Sequence, residues 1–302
     1  MMSDIHGHTH NNYGDNINLD KNYLFKALLL TLSFMVIEII VAFVTGSLTI
    51  LSDAGHMFTD TLALGLSWYS IKLSSKKANN TFSYGYHRAQ IIAALLNGIT
   101  LFILSIYIII EAIIKIQNPV ELDGSILIWV GGAGFIVNLL GLYFITKASY
   151  NNINIRSALY HVLSDMFGSL AAVIAGCIII YTQWMLIDPI LSILISILFI
   201  RITWKLLTES LSILMETAPS DIDYQKLEND IKNVNSKIID LHHIHIWSIN
   251  KSKKFITLHI KVKDSSENDL IITSLEKILH NNFHIEHSTI QIENELCNNK
   301  AC

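Results

Sequence analysis

The segment LTILSDAGHMFTDTLALGLSWYSIKL (residues 48–73) is apolar enough to cross a membrane, yet three ionisable residues lie in its first half. These residues are Asp53, His56 and Asp60. Ionisable side chains are costly in hydrocarbon, and those that occur there usually face the interior of a helix bundle and serve a function. The segment therefore predicts a helical membrane bundle that encloses a polar site.

The composition of the whole chain agrees with a membrane protein. Of 302 residues, 51% are hydrophobic and only 15% are charged, and the mean hydropathy is +0.44. Soluble globular proteins carry about a quarter charged residues. The formal net charge of −4 is mild and predicts no nucleic-acid partner.

Six apolar runs are each long enough to cross the bilayer as a helix, which takes about 20 residues. They cover approximately residues 24–44, 48–73, 89–116, 125–146, 155–181 and 185–207. We therefore predict an α-helical membrane protein with six transmembrane helices. Its parts are a polar, His-containing N-terminal tail (1–22), a six-span domain (23–210) and a C-terminal domain (211–302).

The distribution of basic residues predicts the orientation of the spans. Lys and Arg concentrate on one side, at Lys21, Lys26, Lys72, Lys76, Lys77, Arg88, Lys147, Arg156, Arg201 and Lys205. The opposite side has Lys115 among the acidic residues Glu121, Asp123 and Asp188. Both termini are therefore expected in the cytoplasm.

After Pro219 the sequence becomes polar and amphipathic, which indicates a separate cytoplasmic domain. Helical apolar spacing or period-two alternation marks a helix (about 221–234), strands (238–249 and 254–263), a helix (267–281) and a strand (288–293). The order αββαβ predicts a small two-layer α/β domain.

The fifth apolar run repeats a pattern found in the second. His56 and Asp60 are four residues apart, as are His161 and Asp165 in ALYHVLSDMFG (158–168), so each pair shares one helix face. Two imidazoles and two carboxylates form a tetrahedral set that suits Zn²⁺ and leaves the ion formally neutralised. A single intramembrane His–Asp pair would more often bond neighbouring helices. Asp53 does not belong to either pair, and the spacing assigns it no role.

Four segments together resemble the cation diffusion facilitator family, in its zinc-transporter branch. They are LSDAGHMFTD (51–60), YSIKLSSKKANNTFSYGYHRAQIIAALLNG (69–98), ALYHVLSDMFGS (158–169) and HHIHIWSI (242–249). The resemblance covers about residues 20 to 295. It implies a homodimer with six spans per protomer, a cytoplasmic domain similar to metallochaperones, and efflux of Zn²⁺ in exchange for H⁺.

The resemblance also implies site residues. The transport site becomes His56, Asp60, His161 and Asp165, and a histidine at position 56 favours zinc over cadmium. His245, His259 and Glu293 match a cytoplasmic zinc site near the dimer interface. Arg88 matches a basic position that pairs with an acid across the dimer, for which Glu209 or Glu216 is the expected partner.

Further clusters have two interpretations each. His6, His8 and His10 form either a flexible metal collector or a plain polar tail. Cys297 and Cys302 offer thiolates that suit zinc, or lie in a frayed terminus. Four other histidines are interpreted as surface residues: His242, His280, His284 and His287.

The predicted function is a proton-coupled zinc exporter in the lipid bilayer. Bound metal needs deprotonated ligands, so protons arriving from the outer side would displace it. The alternative functions are a metal-sensing membrane protein and an intramembrane metalloenzyme, which normally has three zinc ligands and an open position. Heavy use of Asn, Ile and Lys favours a bacterial inner membrane.

Overall fold

The computed structural model describes residues 11–45, 48–119, 122–150, 152–250, 253–264 and 266–294. Within helices α1 and α2, the side chains of residues 11–18, 45 and 48–53 lie outside the description. The chain divides into two compact units, one ending at Ser210 and the other beginning at Leu211.

Six long helices precede the small domain. They are α1 (Asn11–Thr45), α2 (Leu48–Ser74), α3 (Arg88–Gln117), α4 (Gly124–Ile145), α5 (Ile153–Thr182) and α6 (Ile187–Leu214). Helix α1 begins within the predicted polar tail, because a helical backbone satisfies its own hydrogen bonds whether or not its side chains are apolar.

Five helices of the described chain are long and apolar enough to cross a membrane, so this is a helical, multi-pass membrane protein. They comprise residues 19–44 of α1 and the whole of α3, α4, α5 and α6. Helix α2 is not among the five, and its sequence includes Asp53, Asp60 and Lys72. The sixth predicted span therefore stays a prediction.

Helices α4 and α5 touch through their backbones. A Cβ atom added to Gly176 of α5 would lie 2.6 Å from the carbonyl oxygen of Gly124, and one added to Gly124 would lie 2.6 Å from that of Gly176. Small residues permit such close helix packing, which contributes much of the association energy in membranes. The two glycines thus fix where α4 and α5 cross.

Polar contacts join other helices of the membrane unit. Arg156 of α5 donates two hydrogen bonds to the Glu209 carboxylate of α6, from Nη1 at 2.8 Å and Nη2 at 2.7 Å. The Arg156 guanidinium also lies over the Tyr150 ring. In α1, the Asp20 carboxylate accepts hydrogen bonds from the Ser149 amide at 2.7 Å and Asn152 Nδ2 at 3.4 Å. These contacts tie α1, α5, α6 and the loop before α5 together.

The second unit is a small α/β domain in the predicted αββαβ order. It comprises α7 (Tyr224–Lys232), β1 (Ile238–Ser248), β2 (Lys254–Val262), α8 (Asn268–Phe283) and β3 (His287–Glu293). Strand β2 is central, antiparallel to β1 and parallel to β3. The parallel pair requires a crossover, which α8 supplies.

Both helices of this domain contribute to one apolar core with the sheet. Its fully buried members include Leu227, Ile231, Leu258, Ile260, Ile271 and Leu275. Alternating burial along β2 confirms the period-two pattern, because every second residue faces the core.

Replacing Gly176 with alanine tests the α4–α5 contact. The new methyl group would collide with the Gly124 backbone, so Gly176→Ala should destabilise the protein by about 1–3 kcal/mol. A Cβ at Gly132 in α4 meets no atom of the described chain within 4 Å, which makes Gly132→Ala the matched control. Thermal unfolding of the detergent-solubilised chain measures both, and equal unfolding temperatures would contradict the contact.

Candidate metal centre

The structure brings together three of the four residues that the paired motifs predict. Metal-ligating atoms of Asp60, His161 and Asp165 lie within 4.8 Å of one another. His161 Nδ1 is 3.5 Å from Asp60 Oδ1 and 3.4 Å from Asp165 Oδ2. Two ligands of one tetrahedral zinc, each about 2.0–2.2 Å from the metal, are about 3.3–3.6 Å apart. These separations therefore suit a single bound ion.

Helix geometry explains why these residues meet. His161 and Asp165 are one turn apart on α5, and Asp60 faces them from α2, which packs against α5. The His161 side chain is only 2% exposed, whereas the side chains of Asp60 and Asp165 are 11% and 22% exposed. His161 Nε2 has no hydrogen-bond partner in the part of the chain that the structure describes.

His56, the fourth predicted ligand, does not belong to this compact group. It lies one turn before Asp60 on α2, and its side chain is exposed. It nevertheless lines the same cavity as Asp60 and Asp165. Asp53 precedes His56 on α2, in the part of the helix whose side chains the structure does not describe.

A cavity of about 360 Å³ opens beside the group. Asp60, Asp165 and His56 line it, and so does Asp188 near the start of α6. Its other polar lining residues are Ser105, Asn138, Ser164, Ser169, Ser192 and Ser196. Apolar sequence patterns do not mark residues such as Ser105 and Ser192, because each is a single polar residue within an apolar run. The cavity therefore extends from the Asp60, His161 and Asp165 group to the start of α6.

A second group of possible ligands lies on the sheet of the α/β domain. Atoms of His242, His259 and Glu293 lie within 4.8 Å of one another. The Glu293 carboxylate is 2.8 Å from His259 Nδ1 and 3.2 Å from His242 Nε2. The His243 ring is 5.0 Å from the His259 ring, and Asp240 Oδ2 is 3.2 Å from His242 Nδ1.

This group corrects the prediction that included His245. Strand β1 has an irregularity between His242, which pairs with His259, and His245, which pairs with Thr257. His243 in this bulge has a positive φ of 50°. The extra residue breaks the period-two alternation, so His242 joins His259 while His245 is exposed. His242, interpreted from the sequence as a surface histidine, lies beside His259 and Glu293 and is 20% exposed for the same reason.

The expected pairing of Arg88 with an acid across a dimer stays a prediction. Glu209 was one of two acids predicted to pair with Arg88 across a dimer, but it forms the two hydrogen bonds with Arg156 of its own chain. In the sequence, Arg156 counts only as one of the basic residues that predict the orientation, whereas its side chain is 5% exposed. The remaining candidates lie outside the described residues: His6, His8, His10, Cys297 and Cys302.

Apolar helices around a group of residues that could hold a metal ion, followed by a small α/β domain, are typical of a membrane protein that handles metal ions. Residues 24–215 match the cation efflux transmembrane domain, and residues 219–295 match the cytoplasmic domain of cation efflux proteins. The chain belongs to the cation efflux family. It is therefore a transporter and not an enzyme, as predicted.

Similar proteins cover nearly the whole chain. It is 36% identical to zinc transporter ZitB of Pectobacterium atrosepticum, over 98% of this chain and 91% of the relative. It is 34% identical to zinc transporter ZitB of Escherichia coli, over 100% and 96%. It is 36% identical to the cadmium, cobalt and zinc/H(+)-K(+) antiporter of Bacillus subtilis, over 97% of this chain. The coverage extends the likeness to both units.

Comparing His242→Ala with His245→Ala tests the metal group of the α/β domain. Loss of His242 should weaken zinc binding there by at least about tenfold, since it removes a ligand, and loss of His245 should change little. Competition with a chromophoric chelator measures the affinity, in a chain whose membrane site carries Asp60→Asn. A larger effect of His245→Ala would restore the sequence-based assignment.

Proposed function

We propose that this chain exports Zn²⁺ from the cytoplasm in exchange for protons. The observation that carries the proposal is the group of Asp60, His161 and Asp165 beside a cavity in the membrane unit. Nitrogen and oxygen ligands at tetrahedral separations suit Zn²⁺. An ion bound there has its charge offset by the two carboxylates, which lessens the cost of burial.

His56 completes the transport site as its fourth ligand. It lies on the same α2 face as Asp60 and lines the same cavity, so a change of side-chain rotamer can bring its imidazole towards the ion. Two imidazoles and two carboxylates then fill the tetrahedral shell. A filled shell suits an ion that is carried, whereas a catalytic zinc keeps one position open.

The similar proteins support zinc as the substrate. Two of them are named zinc transporters, and the antiporter of Bacillus subtilis is named for cadmium, cobalt and zinc together with H⁺ and K⁺. In the family that this sequence resembles, an imidazole at position 56 favours zinc over cadmium. We extend that preference to this chain.

Proton coupling follows from the chemistry of the ligands. Asp60, Asp165 and His161 bind metal only when their binding atoms carry no proton, so zinc and protons compete for the same site. Histidine titrates near neutral pH, which allows protons from the outer side to displace zinc. A site exposed alternately to each side then exchanges the two ions.

Six spans and cytoplasmic termini complete the proposed topology. Helix α2 has 27 residues, enough to cross the bilayer, and its polar residues include the proposed ligands. Lys and Arg concentrate on the side of both termini, which supports a cytoplasmic location for them. We place the protein in a bacterial inner membrane, with residues 23–210 as the transport domain and 211–302 as the cytoplasmic domain.

The functional unit is a homodimer. The family that matches residues 219–295 is named for a dimer, and a domain of this size gains buried area by association. His242, His259 and Glu293 bind a further zinc ion there, which stabilises or regulates the transporter. The histidine tract of residues 6–10 collects metal, and Cys297 and Cys302 offer two further ligands.

Zinc uptake into inverted vesicles tests the transport site. Asp60→Asn and Asp165→Asn should each weaken zinc binding by at least about 100-fold and abolish uptake driven by a pH gradient, because each removes a ligand. Glu111→Gln is the matched control, since Glu111 forms an exposed i,i+4 pair with Lys115 on α3. Normal uptake by both aspartate variants would refute the site. Zinc binding without any uptake by the parent chain would favour a metal-sensing protein.

Changing His56 tests its role in selectivity. An additional carboxylate favours ions that accept more oxygen ligands, so His56→Asp should allow cadmium uptake at a rate comparable to that of zinc. Uptake of each metal is measured in the same vesicles. Unchanged selectivity would show that His56 does not distinguish the two ions.

A further inference from the structure

The face of α5 that carries His161 continues beyond the cavity with buried polar residues. Asn154 and Ser157 precede His161 by seven and four residues, so all three lie on one side of the helix. Asn154 and Ser157 are fully buried. The cavity, in contrast, is lined on α5 only by residues from Ser164 onward. The two polar residues therefore lie on the other side of His161 from the cavity.

These buried groups have no hydrogen-bond partners among the described residues. Both amide atoms of Asn154 and the hydroxyl of Ser157 are unsatisfied. Buried polar groups are nearly always hydrogen-bonded, and an unsatisfied group carries the full cost of losing water. Two such residues on the face that holds the metal-binding histidine require an explanation.

Helix α6 repeats the arrangement. Asp188, Ser192 and Ser196 line the cavity, and Thr203 and Ser210 continue the same helix face in steps of seven residues. Thr203 and Ser210 are fully buried, and neither hydroxyl has a partner in the described chain. The polar face of α6 thus has two halves. One lines the cavity, and the other is fully buried.

Polar side chains on α2 and α3 at the same end of the bundle differ. Asn97 Nδ2 donates to Ser67 Oγ at 2.8 Å and to the Ala63 carbonyl at 3.0 Å. Ser70 and Ser74 donate to backbone carbonyls of their own helix. Polar side chains without hydrogen-bond partners therefore characterise the α5 and α6 faces and not every polar residue at this end of the bundle.

We propose that Asn154, Ser157, Thr203 and Ser210 line the cytoplasmic route by which hydrated zinc reaches the transport site, and that this route is closed in the present structure. The inference rests on the proposed function. Alternating access needs a second opening on the side opposite the cavity. When it opens, water and the ion supply the hydrogen-bond partners that these four residues lack, which explains why the chain keeps polar groups there.

Thiol labelling tests this route in the full-length chain. The three cysteines are first replaced by Cys177→Ser, Cys297→Ser and Cys302→Ser, and Ser157→Cys is then introduced. Its matched control is Ile155→Cys, because Ile155 is equally buried on α5 but packs in an apolar cluster with Leu24 and Leu64. A charged, membrane-impermeant thiol reagent is added to inverted vesicles, which expose the cytoplasmic face, during zinc uptake.

The route predicts that Ser157→Cys is labelled at least about tenfold faster than Ile155→Cys, since the open state exposes only the polar face. In right-side-out vesicles, the reagent should label neither. Ser210→Cys with its buried neighbour control Leu206→Cys repeats the comparison on α6, should the α5 variant fail to fold.

Equal labelling of the polar and apolar positions, in vesicles that take up zinc, would overturn the route. In that case the unsatisfied groups have some purely structural role. Absence of zinc uptake by the parent chain with its three native cysteines would instead refute the proposed function. The labelling comparison would still decide whether the α5 and α6 faces open to the cytoplasm.

Discussion

Two carboxylates held against one buried imidazole are the constraint on which the rest of the membrane unit depends. Asp60 and Asp165 both approach His161 Nδ1 within an apolar bundle. Like charges at this distance repel strongly in a low-dielectric interior, so a cation or shared protons must accompany them. The Gly124–Gly176 contact and the Arg156–Glu209 pair hold together the helices around these charges.

Much of the membrane unit could be predicted because the bilayer leaves few alternatives. A spanning segment must satisfy its own backbone hydrogen bonds, so each apolar run of suitable length indicates a helix. The repeated spacing of His56 and Asp60, and of His161 and Asp165, then placed ligands on two helix faces. The boundaries were less predictable, because the helix that contains residues 24–44 begins at Asn11, well before its apolar run.

Contacts that depend on tertiary geometry could not be predicted from spacing. The bulge at His243 shifts the register by one residue and exchanges His245 for His242, and no period-two pattern reveals such an insertion. Arg156 was missed because a basic residue near the end of a span usually reaches the interface, whereas here it pairs with Glu209. His56 lies on the predicted helix and lines the cavity, but it is exposed and outside the compact group.

The backbone contact between Gly124 and Gly176 has a mechanical consequence. Gly176 lies eleven residues beyond Asp165 on α5, about three helical turns, so the contact fixes the rotation of α5 about its own axis relative to α4. His161 and Asp165 cannot be re-aimed by twisting α5 alone. Helices α4 and α5 must tilt together as one lever, and His161 and Asp165 of α5 turn with that lever as a rigid pair.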